Sequence, residues 1–379
     1  LPSILEFMPR KYKRYGIPPG RVEERLRTFQ KPDVIILSSM MTYWYPGVFD
    51  AILMMRRLFP GAIIILGGIY ATLCREHAER FSQADAVIVG PHWFDLVKQI
   101  SVIAGISCCC EGDQGTWIEP AYDFMRGDTC FPFLASTGCP CHCTYCATHS
   151  IWPQSLPYSR EAMLESIDRL VNEFKARDIA FYDDALLVKK ETHLLPFLEE
   201  TIRRGYKIRF HTPNALHIRQ IDGETALLLK RAGFRTLRLG LEVTQRNWQK
   251  ETGGKVYTQE YLNAMRFLRD AGFTGNEIGT YVLYGLPNQS IEEVEEACRL
   301  VADLGSEIKL AMYSPIPGTP LFRQKVEEFL FDPTAGPLLQ NCSLAPCRPR
   351  ALPYEKYLKL KPIVNSLNQD VRKSPQNAH

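Results

Sequence analysis

Four cysteines fall within eight residues of the stretch "STGCPCHCTYCATH" (136–149): Cys139, Cys141, Cys143 and Cys146. Thiols at this density bind metal, carry redox chemistry or form disulfides. The chain is large, 379 residues, and its 12 cysteines are clustered, which fits a metal site better than a disulfide scaffold. Taken as three ligands, Cys139, Cys143 and Cys146 read C-x3-C-x2-C. Three thiolates on one loop can hold three irons of a [4Fe–4S] cluster and leave the fourth iron open. An open coordination position is what separates a catalytic metal centre from a closed structural one. The alternative is a zinc site built from all four cysteines, or from three with His142 or His149. Zinc sites usually divide their ligands into two separated pairs, and this cluster does not. A ferredoxin-type centre would need a C-x2-C-x2-C run, which is absent.

The elements that must position these thiols are legible in the hydrophobic pattern. "FPFLAST" precedes the cysteines directly and reads as a strand over 131–136. Further strands are expected at 178–183, 207–212, 236–241, 278–284 and 308–313. Helices are expected between them at 160–176, 190–204, 223–232, 258–271 and 290–304. Ala232-Gly233 and Ala271-Gly272 each look like a helix C-cap just before the next strand. Six βα-type strands fall short of the eight in a closed barrel, so the pattern predicts a partial, open (β/α)6 TIM-like barrel. In such barrels the chemistry sits at the C-terminal ends of the strands, and the cysteine loop leaves the first of them.

Other polar groups fall at the same end. Asp183-Asp184 closes the second strand, where a carboxylate pair could hold a ligand ammonium or simply cap the next helix. Asn214 and His217 follow the third strand and are candidates to line a substrate pocket, although a loop histidine is as often structural. Glu242 closes the fourth strand, and Gly285, which permits close backbone approach, follows the fifth.

Upstream, "DVIILSS" (33–39), "AIIILGG" (62–68) and "AVIVG" (86–90) read as buried strands, with helices at 48–59 and in "REHAERF" (75–81) between them. This predicts part of a doubly wound, Rossmann/flavodoxin-like α/β domain over 1–105. A linker (106–128, with irregular composition from 101), the barrel (129–320) and a Pro-rich C-terminal extension (321–379, with a helix at 354–367) follow. The ends of the first two strands, "SSMMTYWYPG" and "LGGIYATL", lie where such sheets bind ligands.

With these elements in place, the chain resembles the radical S-adenosylmethionine (SAM) superfamily. That family's signature is a C-x3-C-x2-C loop with an aromatic before the last cysteine, here Tyr145. The resemblance implies that Cys139, Cys143 and Cys146 ligate a [4Fe–4S] cluster and that Cys141 occupies a variable, non-ligating position. It implies that the open iron chelates SAM, whose reductive cleavage gives a 5′-deoxyadenosyl radical. It also implies SAM-binding roles for Tyr145, Asp183, Asp184, Glu242 and Gly285. "RLGLEVTQ" departs from the family's usual strand-four segment, because Val243 and Thr244 stand where Ser-Gly is common. "YSPIPGTPLF" (313–322) resembles the segment after the sixth strand.

The N-terminal half resembles the cobalamin-binding domain attached to one branch of that superfamily. Its S-x-L…G-G signature is matched by Ser38-Ser39-Met40, then 26 residues (41–66), then Gly67-Gly68, with Met in place of Leu. The resemblance implies cobalamin contacts at Ser38, Ser39, Met40, Thr42, Gly67, Gly68 and Tyr70. The signature's earlier D-x-H-x-x-G element would lie before Leu1. Since the chain opens on Leu rather than Met, upstream residues are expected.

The expected protein is a cytoplasmic, cobalamin-dependent radical SAM enzyme, with methyl transfer to an unreactive carbon as the family expectation. The alternatives are a cobalamin-independent radical SAM enzyme and a non-catalytic zinc or iron–sulfur module. Its partners would be a small-molecule or peptide substrate and an electron donor such as flavodoxin or ferredoxin. A net charge of +3 gives no reason to expect a nucleic-acid partner. The longest apolar run, 61–73, is too short for a membrane span. Cys108-Cys109-Cys110, Cys342 and Cys347 read as incidental, and the substrate and oligomeric state are not encoded in any motif.

Overall fold

The computed structural model describes residues 15–108, 112, 116–125, 127–325, 327, 332–341 and 354–373. The chain divides into two compact units, Leu1–Gln114 with Ser314–Arg350, and Gly115–Tyr313 with Ala351–His379. The C-terminal extension expected at 321–379 is thus split between the two. Cys109, Cys110, Cys342 and Cys347 lie outside the described residues.

The first unit begins with α1 (Pro19–Leu26) and then alternates β1 (Val34–Ser39), α2 (Tyr45–Leu58), β2 (Ile63–Gly68), α3 (Ile69–Leu73), α4 (Arg75–Phe81), β3 (Ala86–Val87) and α5 (Trp93–Ala104). The three strands form a parallel sheet in the order β1-β2-β3, with Ser38 opposite Gly67 and Ser39 opposite Gly68. Ile52, Ile64, Leu66, Tyr70, Ala71 and Ala78 make its core. Only two residues of the expected third strand, Ala86 and Val87, pair with β2, and the carbonyl of Val89 accepts from the Gln99 side chain of α5. The sequence pattern did not mark α5, which reaches into the stretch read as linker and stops at Gly105 in the left-handed region (φ +67°). The edge strand β1 keeps Ile36 54% exposed, while Ile65, its pairing partner on β2, is buried.

In the second unit, residues 116–125 pack on the barrel rather than linking to it. Tyr122 is buried and donates to Pro132 O (2.9 Å), and Trp117 lies against Phe133. The strands are β4 (Cys130–Phe133), then the short β5 (Ser136–Thr137), α6 (Thr148–Ile151) and β6 (Leu156–Pro157), α7 (Arg160–Asn172), β7 (Asp178–Phe181), α8 (Leu194–Arg203), β8 (Arg209–His211), α9 (Gly223–Arg231), β9 (Phe234–Glu242), α10 (Arg246–Glu251), α11 (Thr258–Asp270), β10 (Ile278–Tyr284), α12 (Ile291–Asp303) and β11 (Glu307–Met312). Helix α13 (Pro320–Lys325) falls in the first unit and α14 (Tyr354–Lys373) in the second.

The large sheet runs β4-β7-β8-β9-β10-β11, all parallel and in chain order, which is the open, partial βα barrel expected. Local chemistry sets the helices. Ser159 caps α7, Asp222 caps α9 by accepting from Thr225 N (2.8 Å), and Ser290 with Glu293 forms a capping box on α12. Gly233 and Gly272 take positive φ and end α9 and α11, as read from the sequence. Helix α7 stops short of the expected 176 because Lys175 adopts φ +57°. Phe133, Phe181, Phe210 and Phe234 form the aromatic centre of the core.

The open edge at β11 is covered by α14. Asn368 accepts from Ile308 N (2.7 Å) and donates to Ile308 O (3.0 Å), and Arg372 pairs with Glu307 (2.6 Å). A strand edge with its peptide groups satisfied this way offers little to another chain.

Candidate active site

The strand read as 131–136 breaks after Phe133. Its last residue, Ser136, instead forms β5 with Thr137, antiparallel to β6, with Ser136 opposite Pro157 and Thr137 opposite Leu156. This ribbon closes the base of the cysteine loop, a device the sequence pattern did not reveal. It needs Gly138, which sits at φ +71° with a Cβ position only 2.2 Å from Gln154 O.

Within the loop Cys143 is buried, and Cys139, Cys141 and Cys146 are half-buried; all four are free thiols. Cys146 N bonds Cys143 O (3.1 Å), which forms the turn between these two cysteines. Cys139 Sγ accepts the backbone N–H of Cys141 (3.4 Å) and a hydrogen bond from the Cys141 thiol, which together hold Cys139 down to about 6. Cys141 is pushed up by the same bond, and burial pushes Cys143 up to about 11.

A second loop braces the first. Thr144 N bonds Thr252 O (3.3 Å), and Thr144 Oγ1 donates to Glu251 O (2.9 Å). Gly253, at φ +104°, has its Cβ position 2.6 Å from His142 O, so no side chain fits there. This contact delivers Lys255, largely buried, to the cysteines. Burial lowers its affinity for a proton, but Glu242 and the thiols Cys143, Cys139 and Cys141 outweigh that and raise its pKa. Lys255 was not among the candidates read from the sequence. The usable signal was "TGGK" (252–255), two glycines before a lysine.

Glu242 ends β9 at φ +66°, just after a register shift against β10. The left-handed residue turns its carboxylate back over the strand, toward Lys255 Nζ (3.9 Å). Gly240 leaves the room, since a Cβ there would lie 2.9 Å from Glu242 Oε1 and 3.0 Å from Lys255 Nζ. Burial raises the Glu242 pKa, and Lys255 and Tyr145 oppose that. The Tyr145 hydroxyl lies within hydrogen-bond reach of both Glu242 and Cys143.

The two aspartates separate. Strand β7 ends at Phe181, so both lie in the loop beyond it. Asp183 is 2% exposed and its carboxylate accepts from Ala135 N (3.0 Å), Ser136 N (2.6 Å) and Ser136 Oγ (2.7 Å). It does not cap α8; its carboxylate locks the chain just after β4 to the loop just after β7. Asp184 is exposed, has its pKa raised by desolvation, and acts electrostatically on Cys139. Asp184 therefore remains as the free carboxylate of the pair. Asn214 likewise spends its amide on Tyr182 O (2.7 Å) and Asp183 O (3.3 Å). His217 is buried, burial lowers its pKa to about 4, and its Nε2 lies 3.0 Å from Cys141 Sγ. Gly285 follows β10 at φ +83°, a turn that favours glycine.

In the first unit, Ser39 Oγ donates to Gly67 O (2.8 Å), and the Gly68 Cβ position lies 2.3 Å from Ser39 O at φ +92°. Gly68 is therefore required by its own neighbour strand. Thr42 is buried, Ser38 is exposed, and Met40 and Trp44 are 62% and 53% exposed. Tyr70 is fully buried, with its hydroxyl on His77 Nδ1 (2.7 Å), and so serves the core of the unit.

The donor chemistry of the loop fits an iron–sulfur cluster. Three thiols stand on one loop, a backbone N–H points at one of the sulfurs, and the Lys255 cation offsets thiolate charge.

The radical SAM superfamily model matches residues 134–301. The chain is 24% identical over 208 residues to cytidylyl-2-hydroxyethylphosphonate methyltransferase of Streptomyces wedmorensis, covering 52% of this chain and 38% of that protein. It is 22% identical over 302 residues to bacteriochlorophyllide d C-12(1)-methyltransferase of Chlorobaculum tepidum, covering 72% and 62%. The chain thus spans under two thirds of the length of both relatives. Among solved structures it is similar to the radical SAM methyltransferase TsrM from Kitasatospora setae, described with cobalamin and a [4Fe–4S] cluster bound. The TM-score there is 0.69 at 15% identity, over 81% of this chain and 69% of that one. It is also similar to the cobalamin-dependent radical enzyme OxsB, with a TM-score of 0.59 at 14% identity, over 87% and 50%. Those likenesses concern the fold. A radical SAM fold implies SAM and a [4Fe–4S] cluster as cofactors. The loop chemistry, the sequential parallel strand order and the family-model match agree on a radical SAM domain over residues 134–301.

Proposed function

We propose that the chain is a cobalamin-dependent radical SAM methyltransferase that acts on a carbon of a small-molecule substrate. One observation carries this reading: a three-stranded parallel sheet with a Ser-Ser/Gly-Gly strand-end pair precedes the radical SAM domain. The similar folds that extend over both units include proteins described with cobalamin bound. The two methyltransferases to which the chain is similar support the same reaction class.

Cys139, Cys143 and Cys146 would hold the cluster, which when bound would supply the electron for reductive cleavage of SAM. The chain's own residues hold and orient. Asp184, Glu242 and Lys255 are the charged groups beside the loop that could pair with the ammonium and carboxylate of SAM. Asp183 and Asn214 fix the strand ends that present them. In the first unit, Ser38, Met40, Thr42 and Gly67 remain the cobalamin candidates, with Ser39 and Gly68 shaping the backbone between them and Tyr70 packing beneath. The electron donor is a flavodoxin or ferredoxin and the location cytoplasmic, a compartment that keeps exposed thiols reduced. Among the described residues, no helix is long and apolar enough to cross a membrane.

The test is anaerobic reconstitution with iron, sulfide and hydroxocobalamin, followed by gel filtration and reduction with SAM. Retained corrin together with 5′-deoxyadenosine is the expected result. 5′-Deoxyadenosine without retained corrin would make the enzyme cobalamin-independent. Zinc in place of iron, with no 5′-deoxyadenosine, would sink the enzyme reading.

A further inference from the structure

Cys141 lies outside the expected ligand set, yet two histidines hold it. His149 Nε2 meets its carbonyl oxygen (2.8 Å), and His217 Nε2 meets its sulfur (3.0 Å). The Cys141 backbone N–H in turn donates to Cys139 Sγ (3.4 Å). His217 is buried, and its Nδ1 has no hydrogen-bond partner among the described residues. A buried N–H without an acceptor is costly, whereas a bare ring nitrogen loses less. The favoured tautomer therefore carries its proton on Nε2 and donates it to Cys141 Sγ. Held in this way, Cys141 presents its backbone N–H to Cys139 Sγ. A role in packing alone would ask only for volume at position 217.

We propose that His217 and Cys141 form a hydrogen-bond relay onto the cluster ligand Cys139 and thereby set the reduction potential of the [4Fe–4S] cluster. His217 is a positioning residue in this relay, since it acts through Cys141. The inference rests on the reading that Cys139, Cys143 and Cys146 hold the cluster. Hydrogen bonds to cluster sulfurs stabilise the reduced, more negative state and raise the potential. The relay ends on one ligand only, so it makes the three sulfurs inequivalent.

The test is an EPR-monitored redox titration of the full chain, reconstituted anaerobically, as wild type and as Cys141→Ala, His217→Leu and His217→Gln. All four proteins should hold a full complement of iron. Cys141→Ala and His217→Leu should shift the midpoint to more negative potential. The shift should lower the ratio of reduced to oxidised cluster at fixed potential about tenfold, roughly 59 mV for a one-electron couple. His217→Gln keeps an N–H donor and should recover most of the shift. Wild-type potentials in both Cys141→Ala and His217→Leu would overturn the relay, and if His217→Leu does not fold, Cys141→Ala decides alone. Iron loss in Cys141→Ala, with wild type intact, would overturn it by making Cys141 a ligand. Absence of a cluster in wild type would instead overturn the cluster reading itself.

Discussion

Both units place polar residues at the C-terminal ends of parallel strands, but they use them differently. In the three-stranded sheet, Ser39, Gly67 and Gly68 satisfy one another, and Tyr70 is closed off by His77. In the six-stranded sheet some groups, Asp183 and Asn214, are likewise spent on neighbouring strand ends, while Asp184, Glu242 and Lys255 converge on the cysteine loop. The first arrangement shapes a surface; the second concentrates charge and thiols at one place. A strand-end position therefore marks where a site can form, and the hydrogen-bond account of each residue decides whether it takes part.

Substitutions can break this contrast, and the largest effect belongs to the loop. Cys143→Ala should abolish the cluster, measured as iron and sulfide content after reconstitution, because two thiolates cannot replace three. Asp183→Ala strands the donors Ala135 N and Ser136 N, and should cost about 3 kcal/mol in urea denaturation at 1–3 kcal/mol per unsatisfied group. The pH dependence of Asp183 has a definite sign. Burial raises its carboxyl to about 6, above the unfolded value, so the folded protein holds that proton more tightly. Its contribution is complete below about pH 4 and declines as pH rises through 6. Asp183→Asn should flatten that part of the stability profile.

Gly253→Ala forces a Cβ toward His142 O at a positive φ, and should cost about 1–3 kcal/mol of local strain. It should lower iron incorporation by more than that loss of stability explains. Incorporation that falls only in step with stability would show that the 251–255 brace serves the fold rather than the loop. Smallest of all, Tyr70→Phe removes one hydrogen bond and should cost about 1 kcal/mol. If it also weakens corrin retention by much more than that destabilisation explains, the first sheet is less self-contained than its contacts indicate.

The strand series, the helix ends at Gly233 and Gly272, and the cysteine loop were legible because periodicity and caps are local signals. What escaped was set by long-range contact. Asp183 and Asp184 are adjacent in sequence and alike in chemistry, and only the position of Ser136 separates their fates. Lys255 depends on Gly253 meeting His142, a contact across more than a hundred residues. The β5–β6 ribbon involves two residues on each side, too few to leave a pattern. The resemblance of Gly67-Gly68 to a ligand-binding signature was visible, but the demand that Ser39 places on Gly68 was not.

Helix α14 has a consequence for how the chain is made. The chain leaves the second unit after Tyr313 and returns to it only at Ala351. During vectorial synthesis the peptide groups of Ile308 in β11 therefore emerge before Asn368, which satisfies them, has been polymerised. At ribosomal rates that leaves on the order of seconds during which the barrel's last strand is open to another nascent chain.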